Sequence, residues 1–200
     1  MTTAPPILLA SQSHVRAQLL KAAGVVFEQT GSGVDEAAIK QSLLAEGTGP
    51  RDIADALAEG KAVKVSRRRP GLVIGADQTL ELDGELFDKA EGLEEARARL
   101  IRLRGKTHRL HSAVVIARDG TPVWRALSSP ALTMRPFSDA FLDGYLERNP
   151  QAALSSVGGY ELEGEGVQLF SRIEGDYFAV LGLPLLGLLD YLRLQGALAT

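Results

Sequence analysis

The stretch LVIGADQTLELDGELFDKA, residues 72–90, decides the fold. Leu72-Val73-Ile74 is a short unbroken apolar run, the pattern of a strand covered on both faces. Thr79-Leu80-Glu81-Leu82 alternates polar and apolar, so it reads as strand again. Asp83-Gly84 is a hairpin signal, because a tight two-residue turn needs positive φ at both positions. The spacing therefore predicts a central strand followed by a hairpin. Within it, Asp77 is expected to end the buried run and face a cleft, and Asp88 and Lys89 follow the returning arm. An aspartate after a strand is commonly a turn residue or helix cap. The residues after Asp77 are strand-like, however, so a cap would have no helix to serve. A carboxylate at a strand end in a cleft suits a general base or a ligand of a hard cation.

Outward from this stretch, Pro6 to Ala10 reads as a buried strand. Ser13 is a helix N-cap for a helix through Leu19 and Leu20 that ends at Gly24. Val25-Val26-Phe27 reads as a second strand and GSGVDE, residues 31–36, as a loop. Ile53, Leu57, Ala58, Ala62 and Val65 recur at helical spacing, and that helix finishes in Arg67-Arg68-Arg69-Pro70, where cations complement its dipole. Downstream, Glu94 to Leu103 is helical. His108 to Ala117 and Val123 to Met134 flank Asp119-Gly120 as two long hairpin strands. A helix from Asp139 stops before Asn149-Pro150. Residues 157–166 are rich in Gly and Glu, and Pro184 opens a last helix ending near Leu194. The order predicts an α/β fold over residues 1–200 as one domain: a mixed, twisted sheet flanked by helices, in two lobes with a central cleft. Ligands of such sheets bind at the carboxyl ends of strands, which singles out loops 11–16, 31–36 and 75–78.

The bulk properties narrow the function. A net charge of −3 argues against a general electrostatic grip on nucleic acid or an anionic membrane. The chain has no cysteine, so thiolate nucleophiles, disulfides and Cys-ligated metals are excluded, and a cytoplasmic setting is expected. MTTAPPILLASQS lacks the basic region and the apolar length of a signal peptide, and the apolar C-terminal stretch is broken by Gly, Pro and Asp190, so it reads as core. RGKT at Arg104–Thr107 fails as a phosphate-binding loop because the required upstream glycine is Leu100. GSGVDE lacks the third glycine of a dinucleotide fingerprint. His108 and His111 fall on opposite faces of a strand, a poor metal pair, and read as solvent-facing or satisfied core histidines. Alone, Ser13 with Arg16, Lys61 and Lys89 are each as compatible with an ordinary cap and surface charges as with a site.

Taken together, the segments LLASQSHVRAQLL, SGVDE, LAEGKA, VIGADQ, DGELFDKA, LRGKTHRLHSAV and GGYELEGEGVQLFSRIEGDYFAVLGLP resemble, in order and spacing, the Maf family of nucleoside triphosphate pyrophosphatases. The resemblance implies hydrolysis of the α–β phosphoanhydride to a nucleoside monophosphate and pyrophosphate. It implies a divalent metal cofactor (Mg²⁺ or Mn²⁺), a nucleotide partner and a homodimer. It assigns Ser13, Arg16, Lys61 and Lys89 to phosphate binding, Asp77 to catalysis, and Glu36 with Asp77 to the metal. Gln78 and Glu163 become base readers. The chain departs from the family pattern at His14-Val15, where Ser-Pro and an extra Arg are usual, and at Ala90, Gly60 and Ser155-Ser156. Glu163 replaces the Gln of the dTTP/UTP-type members, and with Gln78 it is similar to the 7-methyl-GTP branch. A carboxylate accepts from the N1 and N2 donors of guanine, which favours a modified purine. The rivals are a nucleotide-binding regulator of division or septation without turnover, and a phosphatase releasing orthophosphate.

Overall fold

A computed structural model of the protein describes residues 4–199, so the first three residues of the N-terminal stretch weighed as a signal peptide lie outside it. In chain order the elements are β1 (Ile7–Ala10), α1 (His14–Ala22), β2 (Glu28–Thr30), α2 (Glu36–Ala45), α3 (Pro50–Ser66), β3 (Leu72–Leu82), β4 (Glu85–Phe87), α4 (Leu93–Leu103) and β5 (Thr107–Arg118). There follow β6 (Thr121–Ser128), β7 (Ala131–Met134), α5 (Asp139–Arg148), α6 (Pro150–Ser155), a 3₁₀ turn (Glu165–Leu169), β8 (Phe170–Glu174), α7 (Tyr177–Val180) and α8 (Leu185–Leu194). The strands form one mixed sheet in the order β2-β1-β3-β5-β7-β8, with β4 also on β3 and β6 also on β5. β1 runs parallel to β2 and β3, and the other pairs are antiparallel. Among the described residues no helix is long and apolar enough to cross a membrane.

β3 organises the molecule. One of its edges is covered by β5 from Val73 to Glu81. The other is shared: β1 pairs with it as far as Leu9↔Ile74, and β4 takes over at Phe87↔Leu80. Between them the edge of β3 about Asp77 has no neighbouring strand among the described residues, and this split is the cleft. Period two sorts the side chains of β3 between its faces. Leu72, Ile74 and Ala76 pack with Val114, Ile116, α1 and α8 in one core, while Leu80 and Leu82 pack with Leu110, α4 and α5 in a second core on the same face. These two cores are the two lobes. α3 covers the opposite face, laying Ala54, Ala58 and Ala62 against Ala113, Val115 and Ala117.

The small side chains let α3 approach closely, and Gly75 is where it comes closest. A Cβ there would lie 2.2 Å from the Ala58 carbonyl oxygen and 2.6 Å from the Ala62 nitrogen. Both atoms belong to helix backbone, so relief requires moving α3. Gly75→Ala is expected to destabilise the protein by about 2–3 kcal/mol, the upper part of the overpacking range. A urea midpoint equal to that of the unmodified protein would show that α3 yields freely.

Four details differ from the sequence expectation. β3 does not end at Asp77; it runs on to Leu82, and Asp77 lies mid-strand opposite Ala113. The second strand is residues 28–30 rather than 25–27, because the end of α1 consumes the valines. Gly24 takes φ +75°, and the Val25 N–H donates back to the Leu20 carbonyl, a glycine-terminated helix cap. Residues 123–134 are two strands, broken where Pro130 cannot donate to a ladder. Finally, α2 was not legible: none of its residues is buried, so it carries no apolar stripe. The Asp83-Gly84 turn is as expected, with φ of 55° and 83°.

Candidate active site

Three segments converge where the edge of β3 is split. The first is the start of α1. The Ser13 hydroxyl accepts from the Arg16 N–H at 3.3 Å, capping the helix and fixing Arg16 in its first turn. The Arg16 guanidinium then turns inward. Its Nε donates to the Gly182 carbonyl at 2.9 Å, and its Nη1 donates to the Ala76 carbonyl at 3.0 Å and to Ser11 Oγ at 3.3 Å. Arg16 thus satisfies a β3 carbonyl on the edge that no strand covers, and its Nη2 makes no hydrogen bond among the described residues. Burial draws the guanidinium below its ordinary range, and the charges of Asp77 and Glu36 draw it back up.

The second segment is α3. Its buried positions Leu57, Ala58, Lys61, Ala62 and Val65 follow helical spacing, and Lys61 is the cation among them at 5% exposure. A buried ammonium needs compensating charge. Lys61 Nζ lies 2.7 Å from Asp77 Oδ1 and 2.9 Å from Glu36 Oε2. Asp77 reaches it because residue 77 projects from the α3 face of the sheet, as does Thr79, whose hydroxyl donates to the Pro50 carbonyl at 2.8 Å. Asp77 Oδ2 makes no hydrogen bond among the described residues. The third segment is loop 31–36. The Asp35 carboxylate caps α2 by accepting from the Ala38 N–H at 3.0 Å, which leaves Glu36 at the first helical position with a half-exposed carboxylate.

Arg16, Glu36, Lys61 and Asp77 therefore form one cluster, with Ser13 holding Arg16 from behind. The other sequence candidates share no hydrogen bond or ion pair with it among the described residues. Gln78 projects from the opposite face of β3, and its amide nitrogen donates to Ser112 Oγ and to the carbonyls of Ala179 and Val180. Lys89 is exposed beyond the end of β4 with no ion pair among the described residues, although its neighbour Asp88 pairs with Lys40 of α2. Glu163 is exposed in the loop before the 3₁₀ turn, also without a partner among the described residues. His108 and His111 are both buried: His111 is satisfied by Ser129 at 2.8 Å and Glu81 at 2.7 Å. His108 bonds Tyr160 at 2.6 Å, its Nδ1 has no partner among the described residues, and burial pushes its pKa down to about 4, so its ring stays neutral near pH 7.

Sequence reasoning missed Ser11, buried at 6% exposure, and the Gly182 carbonyl. Ser11 had a signal, since it follows a buried strand in one of the three loops singled out. Gly182 had none, because it lies 166 residues from its partner. Among the described residues no group of three or more His, Cys, Asp or Glu could hold a metal. The two carboxylates on Lys61 are hard oxygen donors nonetheless, and Mg²⁺ commonly takes only one or two carboxylates, completing its shell with substrate phosphates and water. The donor set fits such an ion when phosphate oxygens are present.

A family model described as Maf-like protein matches residues 6–195. A protein of Caulobacter vibrioides named nucleoside triphosphate pyrophosphatase is 68% identical over 96% of this chain and 97% of its own. One of the same name from Paramagnetospirillum magneticum is 54% identical over 96% and 99%. A protein of Brucella abortus named 7-methyl-GTP pyrophosphatase is 49% identical over 94% of each chain. With the family match spanning nearly every element that builds the cluster, the chain belongs to the Maf family.

Proposed function

We propose that the protein hydrolyses nucleoside triphosphates between the α- and β-phosphates, releasing a nucleoside monophosphate and pyrophosphate. The observation that carries this reading is the pairing of Asp77 with Lys61 beside the buried Arg16 fork, at a break in the sheet edge. A triphosphate carries close to four negative charges, and cations must screen it before water can approach phosphorus. Arg16 presents its free Nη2 edge, Lys61 an ammonium held between two carboxylates, and Lys89 a further point charge from the returning hairpin arm. Ser13 fixes the helix start that carries Arg16. Asp77 is the general base: its Oδ1 is anchored on Lys61, and its Oδ2 accepts the proton of the attacking water. Glu36 and Asp77 would hold Mg²⁺ or Mn²⁺ together with substrate oxygens, and such an ion would supply the largest local charge at the phosphates.

Within this reading the substrate is a purine, modified or non-standard, of the 7-methyl-GTP type. Support comes from Glu163, whose carboxylate can accept from two guanine donors but from only one of uracil or thymine, and from the name borne by the Brucella relative. The expected result is pyrophosphate release that depends on Mg²⁺ or Mn²⁺, with kcat/KM for 7-methyl-GTP above that for dTTP and UTP. Release of orthophosphate would make the protein a phosphatase, and a flat response across the nucleotide panel would make it a binder without turnover. A preference for dTTP or UTP would remove the purine assignment while leaving the reaction intact.

A further inference from the structure

The two apolar cores on one face of the sheet are separated by a polar layer. Gln78 and Ser112 are paired in register on β3 and β5. Ala76 and Val114 lie on one side of them, and Leu80 and Leu110 on the other. Ser112 is fully buried. Polar side chains here would be costly unless every hydrogen bond were made. The donors of both side chains are used, within the pair and on a single short element, α7. Ser112 Oγ donates to the Ala179 carbonyl at 2.5 Å. Gln78 Nε2 donates to Ser112 Oγ at 2.8 Å, to the Ala179 carbonyl at 3.0 Å and to the Val180 carbonyl at 3.1 Å. The hydroxyl has spent its only hydrogen on Ala179, so all three neighbours of Nε2 are acceptors. A flipped amide would set oxygen against three oxygens, which fixes the orientation of the side chain. The two carbonyls lie at the C-terminal end of α7, where the turn that follows offers Ala179 the Gly182 N–H at 3.0 Å and the two side chains supply the remaining donors.

Two residues later the same segment meets the active site. Gly182, at φ +94°, offers its carbonyl to Arg16 Nε, and Arg16 Nη1 holds the Ala76 carbonyl. Ala76 and Gln78 flank Asp77. The chain of contacts is therefore closed: Ala76 to Arg16, Arg16 to Gly182, the α7 end to Gln78, with Asp77 between the two β3 anchors. We propose that Gln78 and Ser112 are positioning residues, which hold the end of α7 so that the Arg16 fork and the β3 backbone at Asp77 keep one geometry. Gln78 then donates to no base, because both of its N–H groups are committed to the protein, and it lies across the sheet from the Asp77 carboxylate.

The inference rests on the roles proposed above for Asp77 and Arg16. The test is steady-state pyrophosphate release by Gln78→Met, which keeps length and removes the donors, and by Ser112→Ala, assayed well below the melting temperature with 7-methyl-GTP, GTP, dTTP and UTP. The expected result is a fall in kcat of about tenfold or more by the same factor for all four nucleotides, as for a small misplacement of reacting groups, with KM changing less than about twofold. Gln78→Glu is expected to fall further, since it places a carboxylate against two carbonyls. A change of more than about tenfold in the purine-to-pyrimidine ratio of kcat/KM would make Gln78 a base reader instead. An unchanged kcat with only a lowered melting temperature would reduce the layer to packing. If Gln78→Met does not fold, Ser112→Ala, which deletes one atom, is judged by the same criteria. Asp77→Asn is measured alongside. Full turnover in that variant removes the site reading and the brace with it, whereas loss there with full turnover in Gln78→Met removes the brace alone.

Discussion

Asp77→Asn is expected to lose more than about a hundredfold in kcat while keeping its fold, in line with what a positioned general base contributes. The amide is nearly isosteric with the carboxylate, and its oxygen can still accept from Lys61 Nζ, which lies 2.7 Å from Asp77 Oδ1. What it cannot do is take a proton from water. The loss should therefore fall on kcat more than on KM, because Arg16, Lys61 and Lys89 remain to bind phosphate. Pyrophosphate release under saturating nucleotide and metal measures this directly. Turnover near that of the unmodified enzyme would show that the attacking water is activated elsewhere.

Lys61→Met should have the largest effect on stability. Methionine fills the same volume, but it leaves the Asp77 carboxylate at 8% exposure with no ammonium beside it. Breaking a buried pair by removing one partner costs about 3–5 kcal/mol, because the surviving charge is left uncompensated. Glu36 adds little to that cost, since its half-exposed carboxylate can return to water. The expectation is a loss near about 3 kcal/mol in urea unfolding, together with loss of turnover as the phosphates lose a cation. The double variant Lys61→Met/Asp77→Asn should be more stable than Lys61→Met alone, because no charge is then stranded. Equal stability of the two would mean that water reaches Asp77 and that the pair is worth no more than a surface contact.

Much of this frame was legible in the residues. The Ser13 cap, the Asp83-Gly84 turn and the α3 stripe are local signals with local causes, and they stand where expected. Two of the three expected strand-end loops, 11–16 and 31–36, bring Arg16 and Glu36 to Asp77, which stands mid-strand on β3 rather than in a third loop. The orientation of Gln78 was not legible, because it depends on whether β3 stops at Asp77. A strand that stops can aim neighbouring side chains together; one that runs on to Leu82 must alternate them. α2 was illegible for a different reason: an amphipathic pattern marks only helices that bury a face, and α2 buries none of its residues. The cap at Gly24 turned apolar residues 25–27 from strand into helix ending, a competition between two local motifs that composition cannot arbitrate.

The bond from Arg16 to Gly182 also bears on how the protein comes into being. It spans 166 residues and is made near the end of the chain. During synthesis α1, α3 and the β3–β5 pairing can form while the last segment is still unmade, but neither the Arg16 fork nor the Gln78 amide has its acceptors until residues 179–182 emerge. Long-range closures of this kind come late in folding, after the loop entropy between their ends has been overcome. Nascent and truncated chains ending before Gly182 would hold Asp77 and Lys61 with no locked arginine beside them, so nucleotide hydrolysis would await residues 179–182.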